Sequence, residues 1–178
     1  MVNNNQSHHR QSIRLKGYDY TSPGAYFVTL VTWQREPVFG EVIDGKMVLN
    51  EIGRIVREDW EKTEKIRKEI TLDTFVIMPN HLHGIVWIEP VDESDIQPIV
   101  VGAHGRAPLR KNIAKIHRQS KSLGAMIAGF KSAATKRVNQ HRGLPGHPLW
   151  QRNYYDHIIR SQKELNNIRN YIKSNPLL

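Results

Sequence analysis

Cysteine is absent from the 178-residue chain, and no long apolar run occurs in it. Without cysteine the protein cannot form disulfides, bind zinc or an iron–sulfur cluster through thiolates, or use a thiol nucleophile. Nowhere do eighteen apolar residues follow one another, and the first thirty residues contain no apolar segment of the kind that directs secretion. We therefore expect a soluble, cytoplasmic protein with no membrane partner.

Length and composition favour a single compact domain. A chain of 178 residues with 39% hydrophobic residues is long enough to bury one genuine core. Residues 1–13 are polar and predict a disordered arm, so we place the domain at 14–178. Within the domain, residues 89–119 have an irregular pattern broken by Pro and Gly, which predicts a long basic insertion.

Acidic residues are scarce in the second half of the chain. The total is 26 Lys and Arg against 17 Asp and Glu, a net charge of +9, and no carboxylate occurs between Asp95 and Asp156. That stretch predicts a positive surface, which attracts polyanions through phosphate contacts and counterion release. Nucleic acid is the natural partner. A solvated basic face without a ligand is the alternative. The basic residues of the stretch are Arg106, Arg110, Lys111, Lys115, Arg118, Lys121, Lys131, Lys136, Arg137, Arg142 and Arg152.

Hydrophobic periodicity predicts a βαββαβ order followed by one more helix. The predicted strands are 25–33, 70–78, 82–88 and 154–160, and the predicted helices are 47–68, 120–139 and a segment after the N-cap Ser161. This order is the split βαβ arrangement of the ferredoxin-like α+β fold. It has a four-stranded antiparallel sheet with two helices on one face. We expect the additional C-terminal helix to cover the other face.

Two histidines occupy alternate positions at the start of the third predicted strand. Alternation turns His81 and His83 to the same face, where two imidazoles can chelate a divalent ion. A pair of hydrogen-bonded structural histidines is the alternative. On the last helix, Tyr171 and Asn175 share a face. Asn175 offers a carbonyl oxygen as a third ligand, and this mixed set suits Mg²⁺ or Mn²⁺.

A tyrosine beside such an ion can attack a phosphodiester. The ion would neutralise the charge that develops on the phosphoryl oxygens, and the product would be a covalent phosphotyrosine. Tyr171 is the candidate, although a helix tyrosine more commonly packs on the core. Tyr154 and Tyr155 are rival nucleophiles, and composition does not choose among them.

Three ordered motifs resemble those of the REP-associated tyrosine transposases, relatives of the IS200/IS605 single-tyrosine transposases in the HUH endonuclease superfamily. They are residues 78–85, residues 149–152 with 155–160, and residues 171–176. The resemblance implies a ferredoxin-like fold and metal-dependent cleavage and joining of single-stranded or hairpin DNA in a prokaryotic nucleoid, without an organic cofactor. It implies that His81, His83 and Asn175 hold the ion. It also implies that Tyr171 is the nucleophile that forms a 5′-phosphotyrosine.

DNA binding requires cations for phosphates and aromatic planes for unstacked bases. Trp33, Trp150 and Tyr155 are the aromatic candidates. Two other functions remain open, a hairpin-DNA-binding protein without catalysis and a hydrolase of small phosphoesters. The chain is expected to act as a monomer or as a homodimer that exchanges the last helix. The candidate phosphate contacts are Arg14, Lys16, Lys121, Lys131, Lys136, Arg137 and Arg152.

Overall fold

The computed structural model describes residues 15, 17–90 and 121–175. The predicted arm at 1–13, the candidates Arg14 and Lys16, and all but the first two residues of the predicted insertion lie outside the described residues. Within the described part, no helix is both long and apolar enough to cross a bilayer.

Six strands and three helices make up the described structure. A short 3₁₀ turn, Trp33–Arg35, follows the first strand. In chain order the elements are β1 (Gly24–Val31), β2 (Gly40–Ile43), β3 (Lys46–Leu49), α1 (Glu51–Ile66), β4 (Ile70–Met78), β5 (His81–Ile88), α2 (Leu123–Arg142), β6 (Tyr155–Ile159) and α3 (Gln162–Ser174).

The main sheet has the strand order β4-β5-β1-β6. β1 pairs antiparallel with both β5 and β6, and β4 pairs antiparallel with β5. When β2 and β3 are set aside, this is the predicted ferredoxin-like βαββαβ topology, with α1 and α2 as the two connecting helices. The predicted fold class, including the additional C-terminal helix, is confirmed.

Different helices cover the two faces of the main sheet. On β1, Tyr26 and Val28 belong to the larger core, which α1 and α2 complete. Ala25, on the alternate face, packs in a smaller cluster to which α3 contributes Leu165 and Ile172. Since α3 lies over the face that the crossover helices leave open, its sheet-facing residues meet every second residue of the strands.

The predicted start of the first helix at residue 47 is wrong. Residues 47–49 belong to β3, which pairs with β2 in a separate hairpin that the sequence reading missed. The helix begins at Glu51 because the Asn50 side chain accepts a hydrogen bond from the Gly53 N–H, at 2.9 Å. The turn residues Asp44 and Gly45 have φ values of 48° and 70°, the backbone that an Asp-Gly hairpin turn requires.

Other predicted boundaries shift by one to three residues. The strand predicted at 25–33 ends at residue 31, where the 3₁₀ turn takes over, and the strand predicted at 154–160 spans 155–159. The helix predicted at 120–139 begins after its N-cap Ser122, whose side chain accepts from the Ala125 N–H. It continues to Arg142 because Gly143 provides the left-handed C-cap, with φ 66°.

Gly84 lets α1 approach the sheet closely. A Cβ atom at this position would lie 2.8 Å from the Trp60 ring and 3.3 Å from the Phe75 Cβ. Because the Trp60 side chain is fully buried, its ring has no free space into which to move. The glycine in the His-Leu-His-Gly motif therefore serves packing beneath the histidines.

We expect Gly84→Ala to lower the free energy of unfolding by about 1–3 kcal/mol, the usual cost of overpacking a core. Gly129→Ala is the control, since its Cβ would lie 3.8 Å from the nearest atom, on Arg67, in the middle of α2. That change should be neutral or stabilise by up to about 1 kcal/mol. Denaturant unfolding measures both. Equal stability of Gly84→Ala and the parent would contradict this account of the packing.

Candidate active site

His81 and His83 lie at the start of β5, on the face that α3 covers. Their ring centroids are 4.5 Å apart. Leu82, between them, points into the larger core on the other face and is fully buried. The alternation that the sequence predicted therefore brings the two imidazoles together.

The His83 ring is held on several sides. Its Nδ1 atom lies 2.8 Å from the hydroxyl of Thr29 on the neighbouring strand, and the ring stacks on Phe27 at a centroid distance of 5.4 Å. Burial, reinforced by the charge that His81 can carry, lowers the pKa of His83 to about 4. His83 is therefore neutral at pH 7, and its Nε2 atom points away from Thr29 and towards α3.

His81 is oriented by two asparagines. Its Nδ1 atom lies 2.7 Å from the side-chain oxygen of Asn80, and Asn175, the C-cap of α3, makes a side-chain hydrogen bond with the ring. Burial lowers the pKa of His81, and the hydrogen bond with Asn175 opposes that shift. Asn175 is only 9% exposed.

Tyr171 reaches the histidine pair from α3 of the same chain. Its hydroxyl lies 3.3 Å from the Nε2 atom of His83, and its ring meets Phe27 edge-on at 6.2 Å. The next residue, Ile172, is 1% exposed and fixes this turn of the helix on the sheet. Tyr171 itself is 43% exposed, so a residue that is fixed on the sheet is also accessible from solvent.

An ion pair that the sequence analysis missed ties α3 to β4. Arg169 donates to both carboxylate oxygens of Asp73, at 2.5 and 3.0 Å, and the indole N–H of Trp87 donates to the same carboxylate at 3.1 Å. Burial raises the pKa of Asp73, but the hydrogen bonds from Arg169, Trp87 and Thr74 outweigh it and hold the pKa below its usual value. The sequence signal for this ion pair was Asp73 itself, a single carboxylate within the apolar run predicted as the strand at 70–78.

A β-bulge explains where Asp73 lies. The register of β4 against β5 shifts between Leu72 and Phe75. Such a bulge inserts a residue and redirects a side chain. Arg169 lies two residues before Tyr171, so the pair holds the part of α3 that carries the tyrosine.

The other end of α3 is fixed to β6. Ser161 caps the helix as predicted, accepting from the Glu164 N–H. The Glu164 carboxylate accepts from the Arg160 N–H and lies 2.6 Å from the Nε2 atom of His157. His157 therefore has a structural contact with the first turn of α3.

The rival tyrosines lie elsewhere. Tyr154 packs against the larger core, on the face away from the histidines. Tyr155 is 50% exposed on the same face as His83, but it pairs with Thr29, and Thr29 in turn pairs with His83. Two strand spacings, roughly 10 Å, therefore separate the backbones of Tyr155 and His83.

The candidate phosphate contacts on α2 and beside it have different surroundings. The Lys131 amine donates to the main-chain oxygens of residues 151–153, and burial lowers its pKa to about 8. Arg137 bridges to α1 through Glu58 and Asp59, at 2.7 and 2.5 Å. Lys121, Lys136 and Arg152 are exposed. DNA contact by any of these five residues stays a prediction.

The side chains of His81, His83 and Asn175 fit a small divalent ion held by two imidazoles and an amide. Among residues 15, 17–90 and 121–175, no three His, Asp or Glu side chains gather as a metal cluster. Any ion here would therefore take His81, His83 and a non-carboxylate donor such as Asn175, with other positions left to water or substrate. Burial of the two rings favours the neutral form, which is the form that binds metal.

The fold is the one that a tyrosine transposase uses. The chain superimposes on the structure of a REP-associated tyrosine transposase bound to a REP hairpin, with a TM-score of 0.57 and 16% identity, over 93% of this chain and 73% of that one. A putative transposase from Deinococcus radiodurans gives a TM-score of 0.43 and 18% identity, over 90% and 95% of the two chains. The second likeness is too weak to support an argument.

The chain belongs to the family of an uncharacterized protein of Haemophilus influenzae. The two are 38% identical over 173 residues, which cover 96% of this chain and 90% of the relative. No family model matches the chain.

Asp73→Asn should loosen α3 and lower the free energy of unfolding by about 1–3 kcal/mol, because the largely buried carboxylate that accepts from Arg169, Trp87 and Thr74 is lost. The pKa of Asp73 is lowered by folding, so its stabilisation is present above the unfolded pKa of about 3.9 and is lost as the pH falls below it. The difference between parent and variant should therefore shrink below about pH 4.

Urea unfolding at a series of pH values measures this difference. Glu64→Gln, the same change at an exposed position of α1, is the control and should stay within about 0.5 kcal/mol of the parent. A difference between Asp73→Asn and the parent that does not vary between pH 7 and pH 3 would contradict the assignment.

Proposed function

We propose that the protein is a metal-dependent endonuclease and strand transferase for single-stranded DNA, with Tyr171 as its nucleophile. The position of the Tyr171 hydroxyl, 3.3 Å from the His83 Nε2 atom on a side chain that is 43% exposed, carries the proposal. A hydroxyl that served only packing would not need both properties. The transposase fold and the basic composition support the same function.

The proposed reaction exchanges one phosphoester for another. The Tyr171 oxygen forms a bond to the phosphorus of a DNA phosphodiester, and the bond from that phosphorus to the 3′ oxygen breaks. The phenol proton passes to solvent, which reaches the partly exposed Tyr171 side chain, and the departing 3′ oxygen takes a proton from water. The products are a 5′-phosphotyrosine and a free 3′-hydroxyl, whose reverse attack rejoins a strand without ATP.

His81, His83 and Asn175 would hold Mg²⁺ or Mn²⁺ in this proposal. The ion supplies charge neutralisation at the phosphoryl oxygens of the scissile phosphate. Thr29 and Asn80 fix the orientation of the two rings through their Nδ1 atoms, as the outer partners of metal-binding histidines commonly do. The Phe27 ring closes the site beneath His83 and Tyr171 and limits the approach of water from that side.

Hairpin DNA is the proposed substrate class. The structural neighbour is described as bound to a REP hairpin. In this chain, the exposed cations Lys121, Lys136 and Arg152 can contact phosphates, while the exposed aromatic residues Trp33 and Tyr155 can stack on unpaired bases. Trp150 is 6% exposed and packs against Phe39 and Phe130. The candidates for stacking on DNA are therefore Trp33 and Tyr155.

Incubation with Mn²⁺ and a labelled single-stranded hairpin oligonucleotide should give a covalent protein–DNA adduct that survives denaturing electrophoresis. Tyr171→Phe should abolish the adduct, because the variant lacks the attacking oxygen. We expect a loss of at least about 10⁴-fold in rate, as for other removals of a nucleophile.

Tyr155→Phe is the matched control for the adduct experiment. It removes one hydroxyl from the same face of the sheet, about two strands away, and should leave adduct formation within a few-fold of the parent. An adduct with Tyr171→Phe and none with Tyr155→Phe would identify Tyr155 as the nucleophile. Tight hairpin binding without any adduct would favour a binding protein.

Metal binding can be measured without the reaction. Titration of the metal-free protein with Mn²⁺, followed by calorimetry or by the electron paramagnetic resonance signal of free Mn²⁺, should show one site. His83→Ala should weaken it by at least about tenfold, since one of two imidazole ligands is lost. His141→Ala, at an exposed position of α2, should not change it. Equal Mn²⁺ affinity of His83→Ala and parent would contradict the proposed ligand set.

A further inference from the structure

A groove of about 620 Å³ lies between the C-terminal half of α2 and the loop 143–153. On the α2 side it is lined by Ser132, Lys136 and Asn139. The loop side contributes apolar surface from Pro148 and Leu149, among others. The volume lies within the roughly 300–1,000 Å³ range of ligand pockets. The histidine site is on the opposite face of the sheet, so this groove is a separate feature.

The lining residues that the described part of the chain contributes to the groove all come from the acid-free stretch. Lys131, Lys136 and Arg152 contribute cationic groups, and no carboxylate of the described residues lines the groove. Lys131 uses its amine to hold the loop carbonyls, whereas Lys136 and Arg152 are exposed at the rim. An apolar floor with cations at its rim complements a strand whose bases are apolar on their faces and whose phosphates are anionic.

Two buried side chains of the groove wall keep a polar atom without a partner among the described residues. The Asn139 side-chain oxygen and the Trp150 indole N–H each lack a hydrogen bond there, although the two residues are 7% and 6% exposed. Leaving such atoms unpaired costs free energy in the unliganded protein. Both atoms are closed to solvent, so they belong to the interior of the wall, and the ligand of the groove is set by its cations and its apolar floor.

The groove wall is hydrogen-bonded to β1, the strand that pairs with the histidine-bearing strand β5. The Gln151 N–H donates to the Val31 carbonyl at 2.9 Å, and Val31 pairs with His81 across the sheet. Gln151 and His81 are therefore about two strand spacings apart, roughly 10 Å along the hydrogen-bonding direction. One strand of DNA can span this distance over the loop.

We propose that the groove between α2 and the loop 143–153 binds unpaired nucleotides of single-stranded DNA that flank the bond cleaved at the histidine site. The role as a flanking site rests on the proposed function, whereas binding in the groove is measurable without cleavage. Lys136 and Arg152 contact the phosphates, and the apolar floor takes a base. Duplex DNA keeps its bases stacked inside and cannot use that floor.

The test measures the affinity of a fluorescein-labelled oligothymidylate by anisotropy, in the Tyr171→Phe background and at several salt concentrations. Lys136→Gln with Arg152→Gln should weaken binding roughly tenfold and reduce the salt slope by about 1.4, at about 0.7 per phosphate on a single strand. Ser132→Trp fills the groove without a change of charge and should weaken binding by a similar factor. A duplex probe should bind more weakly and be insensitive to Ser132→Trp.

Lys65→Gln with Lys68→Gln is the charge-matched control, on exposed positions at the end of α1 and just beyond it. It should change affinity by less than threefold. Thermal unfolding verifies that each variant is folded. If Ser132→Trp binds like the parent, or if the control loses as much affinity as the groove variant, the groove is not the binding site. If the parent protein forms no adduct but the groove variants lose affinity, the proposed function and the flanking role fail, whereas binding of unpaired nucleotides in the groove stands.

Discussion

The attachment of α3 across the open face of the sheet is the constraint on which the proposed site depends. Leu165 and Ile172 bury the apolar stripe of the helix, and the Asp73–Arg169 pair fixes its position along β4. Apolar packing alone would tolerate a slide or rotation of the helix, whereas a bidentate ion pair has one geometry. That geometry places the Tyr171 hydroxyl 3.3 Å from His83 within one chain.

Basic residues serve two purposes in this molecule. Arg137, Arg169 and Lys131 are engaged with carboxylates or main-chain oxygens and stabilise the fold. Lys136 and Arg152 are exposed beside a groove to which residues 17–90 and 121–175 contribute no carboxylate. The net charge therefore overstates the number of cationic side chains that can contact phosphates. Which cations remain free depends on the partners that the fold provides.

The sequence predicted the topology and the meeting of His81, His83, Tyr171 and Asn175, because strand alternation and helical spacing fix which residues share a face. It did not predict the β2–β3 hairpin, since the apolar spacing of residues 47–49 fits either a strand or the start of a helix. The Asp73–Arg169 pair was also missed. It joins residues 96 positions apart through a bulge, and no local pattern encodes such a contact.

Fluorine NMR of the 3-fluorotyrosine-labelled protein tests most directly whether the phenol of α3 and the histidine pair share an ion. The chain has six tyrosines, so each resonance can be assigned with single Tyr→Phe variants. Substoichiometric Mn²⁺ should broaden the Tyr171 resonance before the other five, to the same extent at high and low protein concentration. Broadening that spares Tyr171 while another tyrosine responds would contradict the account.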